Sequence, residues 1–312
     1  MSSVAIVFPG QGSQHLNMLS QGSILEIASS SEYSDLVDLC SDLISLDFID
    51  VIENGPEESL NKTSITQPIL LLTSFFHYQN LVNQTSVEPL IFAGHSLGEY
   101  SALVAANSLR IEDGLKLVRK RGLLMEEAPS GSMAAILGLD FLSIEEICEQ
   151  VSMDQSMQVQ CANLNSPSQT VISGAIEAVA KAQELCLEAG AKRAITLKVS
   201  IASHSPLMES VQEEYHAFLS TIELKVPNVS VLHNVNNSIS AVPDEIKNLL
   251  VQQLYSPVQW VNICKEISAL CLPAIECGPG KVLGGLFKAN GVNDYFSTAD
   301  SNFYEKILTH VK

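Results

Sequence analysis

The sequence predicts an α/β protein, a mostly parallel sheet covered by helices on both faces and carrying a small second unit. Three observations point there. Short β-branched runs alternate with segments of helical spacing over the first 130 residues. Between 130 and 200 the order becomes β-α-β-β-α-β, the ferredoxin-like pattern. The chain has 312 residues, more than one core usually holds. The expected division is a large domain from 1–129 and 201–312 with an insert at 130–200.

The elements follow in order. Residues 4–8 form a short apolar run closed by Pro9-Gly10 and read as a buried strand. Residues 34–52 and 68–84 have helical spacing, with Pro68 expected in a first turn and Thr66 as its cap. Residues 89–93 read as a second buried strand, followed by helices at 97–106 and 111–128. The insert gives strands at 132–138, 158–163, 169–173 and 192–198 around helices at 143–151 and 176–189, the second closed by Gly190. The large domain resumes with a helix near 206–220, strands near 229–235 and 272–276, and a last helix after Gly280.

Bulk properties exclude several function classes. A net charge of −18 repels phosphate backbones, so nucleic acid is a poor partner, and any acidic or phosphorylated partner needs a local basic patch. The seven cysteines are scattered without a CxxC pair, which argues against a disulfide framework or zinc site and for a reducing cytosol. The apolar run after the N-terminus is too short for a signal-peptide core, and the stretch at 68–76 is far too short to cross a membrane.

The chemistry begins at Gly94-His95-Ser96-Leu97-Gly98, a G-x-S-x-G turn between a strand and a helix. Such a turn lifts the serine hydroxyl off the sheet and sets it at a helix N-terminus, where N–H groups can hold an oxyanion. A serine needs a base. His77, His216 and His310 lie in helix-like segments, His15 follows a glycine loop and His95 adjoins the serine. His204 lies where the chain leaves the insert, and the order Ser96 then His204 is nucleophile before base; a structural histidine at a helix start fits the position equally well. No acid stands out between them, because Asp113, Asp140 and Asp154 all sit where aspartates cap helices or turns.

Arg121 is more telling. On a helix turning about 100° per residue, Leu117, Val118, Leu124 and Met125 all fall within about 60° of it. A guanidinium centred on an apolar stripe is costly unless paired, and its planar fork suits a carboxylate. That carboxylate is either an internal Asp or Glu or the substrate's own. The loop Pro9 to Gln14 allows close backbone approach, and Gln11 could aim an amide N–H at an oxyanion. Gly278-Pro279-Gly280-Lys281 reads alone as a turn with a solvated lysine.

Taken together, the ordered series FPGQGSQ (8–14), ITQP (65–68), GHSLGEYSAL (94–103), KRG (120–122), NLNSPSQTVISG (163–174), SHSPLM (203–208), QLYSPVQW (253–260) and GPGKVL (278–283) resembles the malonyl-CoA:acyl carrier protein transacylases of fatty-acid synthesis. The resemblance covers essentially the whole chain. It implies an α/β-hydrolase-like core with a ferredoxin-like insert, Ser96 as nucleophile and His204 as base and acid. It also implies Gln11 and the Leu97 N–H as oxyanion hole and Arg121 as receptor for the malonyl carboxylate. The Gln253 carbonyl would orient the histidine, with His95, Asn163 and Asn165 near the pocket. It further implies a cytoplasmic monomer with malonyl-CoA and acyl carrier protein as partners and no metal or resident cofactor. Lys192 and Arg193, on the last strand of the insert, are the expected docking patch for the carrier. A discrete acyltransferase of a polyketide assembly line would have the same chemistry with a different carrier, and loss of the buried arginine would favour an acyl hydrolase of the same fold, whereas Arg121 is present.

Overall fold

The computed structural model describes residues 3–154 and 156–310. Among these the strands are β1 (Ser3–Phe8), β2 (Glu88–Gly94), β3 (Ser132–Leu137), β4 (Val159–Ser166), β5 (Gln169–Gly174), β6 (Arg193–Thr196), β7 (Ser230–Leu232), β8 (Ala274–Glu276) and β9 (Tyr295–Ser297). The helices are α1 (Ile24–Ala28), α2 (Ser34–Ile44), α3 (Phe48–Glu53), α4 (Glu57–Leu60), α5 (Thr63–Gln84), α6 (Gly98–Ala105), α7 (Ile111–Glu127), α8 (Phe141–Ser152), α9 (Ile176–Glu188), α10 (Gln212–Ser220), α11 (Pro243–Gln252), α12 (Trp260–Ala269), α13 (Val282–Ala289) and α14 (Phe303–His310).

Five strands form a parallel sheet in the order β7-β2-β1-β8-β9. Val4 to Phe8 are essentially unexposed, as a central strand covered on both faces requires. Because all five strands run the same way, their C-terminal ends share one edge. Four loops therefore gather there, after Phe8, Gly94, Leu232 and Glu276, and this is the edge where α/β sheets place ligands.

The other four strands form an antiparallel sheet in the order β4-β5-β3-β6. Its side chains alternate by face. Ala134, Ile136, Cys161 and Ile172 pack under α8 and α9, whereas Met133, Ala135, Ala162 and Val171 form a separate cluster on the face without helices. The chain enters and leaves this unit through two adjoining segments, with Ser130 bridged to Ile201 and the Gly131 N–H bonded to the Ser200 carbonyl at 3.0 Å.

Several expectations are corrected. The segment 34–52 is two helices, α2 and α3, because Ser45 takes a left-handed φ of 57° between them. Helix α5 starts at Thr63, so Pro68 lies inside it rather than in its first turn, and Thr66 is no cap; its hydroxyl donates to the Leu60 and Lys62 carbonyls. An interior proline leaves the carbonyl four residues back without a donor. Here that carbonyl, on Ser64, accepts from Arg119 Nη1 at 2.7 Å, while the Ser64 N–H donates to Glu126 at 2.8 Å. Two α7 side chains thus stitch α7 to α5. Lys281 is paired with Asp300 rather than simply solvated. Helices α11 and α12 stand where no element was predicted, and α13 is followed by β9 and α14.

Candidate active site

The strand β2 breaks into α6 through one residue. Ser96 has φ of 51°, a strained left-handed conformation for a non-glycine residue. Asn234, just past β7, holds the turn from both sides: its Oδ1 accepts the Ser96 N–H at 2.7 Å and its Nδ2 donates to the Gly94 carbonyl at 2.7 Å. The turn packs backbone against backbone on the loop after β1. A Cβ on Gly98 would lie 2.1 Å from the Phe8 carbonyl oxygen, and one on Gly10 would lie 2.3 Å from that of His95. Only glycine fits at either place.

Ser96 Oγ lies 2.7 Å from His204 Nε2, and His204 Nδ1 lies 2.6 Å from the Gln253 carbonyl. A carbonyl only accepts, so Nδ1 carries the proton and Nε2 is free to take one from the serine. His204 is buried, and burial, aided by the Arg121 charge, pushes its pKa down to about 3. The imidazole is therefore neutral at neutral pH, the form a general base needs. The His204 carbonyl is fixed by Gln160, whose Nε2 donates to it and to the Tyr255 carbonyl at 2.7 Å each.

Arg121 is 1% exposed, on the face of α7 that the sequence pattern selected. Among the described residues no carboxylate pairs with it directly. Its Nη2 donates to Gln253 Oε1 at 3.0 Å, its guanidinium carbon lies 5.5 Å from the Tyr100 ring centre, and its Nε has no partner. It faces a cleft of about 970 Å³ together with Ser96, His204, Gln11, Leu97 and Asn163. Met133 and Leu197, from the helix-free side of the small sheet, line the same cleft.

The Gln11 side chain donates one N–H to Thr63 Oγ1 at 3.0 Å, which ties the amide to α5 and leaves the backbone N–H free to point at a ligand. Neither that N–H nor the Leu97 N–H finds an acceptor among the described residues. His95 packs edge-on against Trp260 and its Nε2 donates to Asn165 Oδ1 at 2.9 Å. Burial lowers the His95 pKa as well. Lys192 and Arg193 are exposed and lie outside the cleft, on the edge strand that leads to it; Lys62 and Lys198 line it instead. Among the described residues no helix is long and apolar enough to cross a membrane.

A strained serine, a neutral histidine held by a carbonyl, free N–H groups and an unpaired buried cation in one cleft can make and break an acyl ester. The model of the acyl transferase domain family matches residues 5–275. The chain belongs to the acyl transferase family. It is similar to the malonyl CoA-acyl carrier protein transacylase of Haemophilus influenzae, 42% identical over 99% of this chain and all of the relative. Among solved acyltransferases, the transacylase of the same name from Coxiella burnetii superposes with a TM-score of 0.91 at 37% identity, covering 99% of this chain and 97% of the other. A malonyl-transacylase solved in complex with a type II polyketide acyl-carrier protein matches as well, with TM-score 0.91, 38% identity, and 99% and 100% coverage.

Sequence reading of this acyl transferase missed a second layer behind the dyad. Glu99 is wholly buried; its Oε1 accepts from His233 Nδ1 at 2.7 Å and its Oε2 accepts from Gln253 Nε2 at 2.6 Å and from the Asn234 N–H at 3.2 Å. His233 is the one histidine left unassigned in the sequence. A signal existed: Glu99 lies one helical turn after Ser96, and His233-Asn234 ends a strand on the ligand-bearing edge. What was not visible is that these distant segments meet.

Proposed function

We propose that this acyltransferase carries a malonyl group from malonyl-CoA to the phosphopantetheine thiol of an acyl carrier protein, for fatty-acid chain elongation. One observation carries the choice of substrate: among the described residues Arg121 is a buried guanidinium without a carboxylate partner, facing the same cleft as Ser96. Such a charge is costly to bury unless a ligand completes it. A malonyl thioester has a free carboxylate to offer such a group; an acetyl thioester has none. Ser96 Oγ attacks the thioester carbonyl, His204 Nε2 takes its proton, and the N–H groups of Gln11 and Leu97 stabilise the oxyanion. Coenzyme A leaves as the thiol, taking that proton, and the carrier's thiol reverses the sequence on the malonyl ester. Neither step draws on a metal or resident cofactor. The Gln253 carbonyl orients His204, His95 and Asn163 line the cleft, and Asn165 holds the His95 ring from behind.

The expected result for Arg121→Ala is a loss of malonyl transfer on the order of 10²-fold, as for truncating one partner of a buried charge pair, with a much smaller loss for acetyl transfer. Acylation rates from malonyl-CoA and acetyl-CoA measure it. Equal losses would make Arg121 structural and remove the basis for the malonyl assignment.

The chain divides at the paired crossings near 130 and 200, into 1–129 with 201–312 and an insert of 130–200 with its own core. The enzyme works in the cytoplasm, consistent with seven unpaired thiols, and as a monomer, since one chain supplies every group named above. The carrier docks on the β6 edge through Lys192 and Arg193. Support comes by comparison of cationic clusters: Lys116 and Lys120 are engaged by Asp113 and Glu214, Arg119 by Ser64, and Lys281 by Asp300. Reversing Lys192 and Arg193 to glutamate is expected to raise the KM for the carrier several-fold at low salt, with self-acylation by malonyl-CoA unchanged. The effect fades as salt shortens the screening length to roughly 10 Å at 0.1 M. Unchanged carrier kinetics at low salt would move the docking surface elsewhere, first to Lys62 and Lys198.

A further inference from the structure

Gln253 holds two parts of the site at once. Its main-chain carbonyl accepts from His204, and its side-chain Oε1 accepts from Arg121. The side-chain amide can serve Arg121 only if its oxygen faces α7, because a guanidinium donates and never accepts. Its NH₂ must then face acceptors, and it has two, the Ser96 carbonyl at 3.1 Å and Glu99 Oε2 at 2.6 Å. The shorter contact is to the carboxylate. Glu99 is itself held by the His233 Nδ1–H and the Asn234 N–H. A buried chain of fixed direction therefore runs from His233 through Glu99 and Gln253 to Arg121, every member at most 1% exposed.

We propose that Glu99 is a positioning residue for acyl-group selectivity, its carboxylate fixing the Gln253 amide so that Arg121 is aimed at the substrate carboxylate. It touches neither substrate nor reacting atoms. Among the described residues Glu99 is the carboxylate linked to Arg121 through this chain, so it also supplies the distant countercharge that keeps the guanidinium in place before substrate arrives. In Glu99→Gln the neighbour of Gln253 becomes a group that can donate as well as accept, and the charge that selects one orientation is gone. The inference rests on the malonyl reading given above.

The test compares acylation by malonyl-CoA and acetyl-CoA. Glu99→Gln is expected to lower the malonyl-to-acetyl selectivity ratio at least about tenfold, chiefly through the KM for malonyl-CoA, as expected for losing a hydrogen bond to a charged group. In an Arg121→Ala background the same change is expected to leave the ratio where Arg121→Ala alone puts it. Equal losses with both acyl donors, or an effect that persists in full without Arg121, would overturn the proposal by making Glu99 a general support of the fold. If Glu99→Gln does not fold, His233 carries the test. His233→Asn keeps a donor at the Nδ1 position and is expected to keep the ratio, while His233→Leu lowers it; identical behaviour of the two sinks the idea. A wild-type enzyme that does not prefer malonyl over acetyl donors would instead sink the malonyl reading, so the two failures are distinct.

Discussion

Ser96→Ala is expected to abolish the acyl-enzyme. Mixed with malonyl-CoA, the wild-type chain should gain the mass of one malonyl group and the variant none. The geometry singles out Ser96: its Oγ lies 2.7 Å from the neutral His204 Nε2, at the N-terminus of α6, beside two N–H groups without acceptors among the described residues. The variant should fold, because alanine and serine both carry a Cβ and meet the same steric resistance at a φ of 51°. The turn itself is held by Asn234 through backbone atoms, which the substitution leaves in place. A malonyl adduct on Ser96→Ala, mapped to another side chain, would show that the elbow serine is not the nucleophile.

His204→Ala should slow single-turnover acylation by about 10² to 10⁴, the usual contribution of general acid–base help. In the proposed reaction both steps need the same imidazole, first to take the serine proton and then to take that of the carrier thiol. Burial is what fits it to the task. With its pKa pushed down to about 3, the ring stays neutral well below the range in which an exposed histidine protonates, near 6.5. The Gln253 carbonyl fixes the tautomer without supplying a negative charge, so proton transfer to His204 is less favoured than in a site where a carboxylate stands behind the histidine. A variant with near-normal rates would make His204 a structural residue and leave the base unidentified.

How much of this was legible in the sequence depended on the range of the interaction. The elbow is local: two glycines, a strand before and a helix after, and the structure has all of them at 88–105. Arg121 was legible because helical spacing alone centres it on an apolar stripe, and the buried face of α7 is that stripe. No acid could be read between Ser96 and His204, and in the structure the partner of His204 Nδ1 is a main-chain carbonyl, which no residue type announces. The Glu99–His233–Gln253 cluster was not legible. Its members come from α6, the end of β7 and the end of α11, and nothing in their spacing says they meet. Strands as short as β9 carry too few residues for a period to be read.

Pro68 gives the site a mechanical index mark. The carbonyl it leaves free on α5 is engaged by Arg119, and the N–H of the same residue by Glu126, so α7 is pinned to its neighbour on both sides of Arg121. Between those pins a helix cannot slide or turn without breaking a bond at one end. One residue added or removed between Arg119 and Arg121 would rotate Arg121 by about 100° relative to the first pin, taking the guanidinium out of the cleft, and one between Arg121 and Glu126 would break the second pin. A length change in a surface loop leaves this register intact, whereas one between Arg119 and Glu126 breaks it.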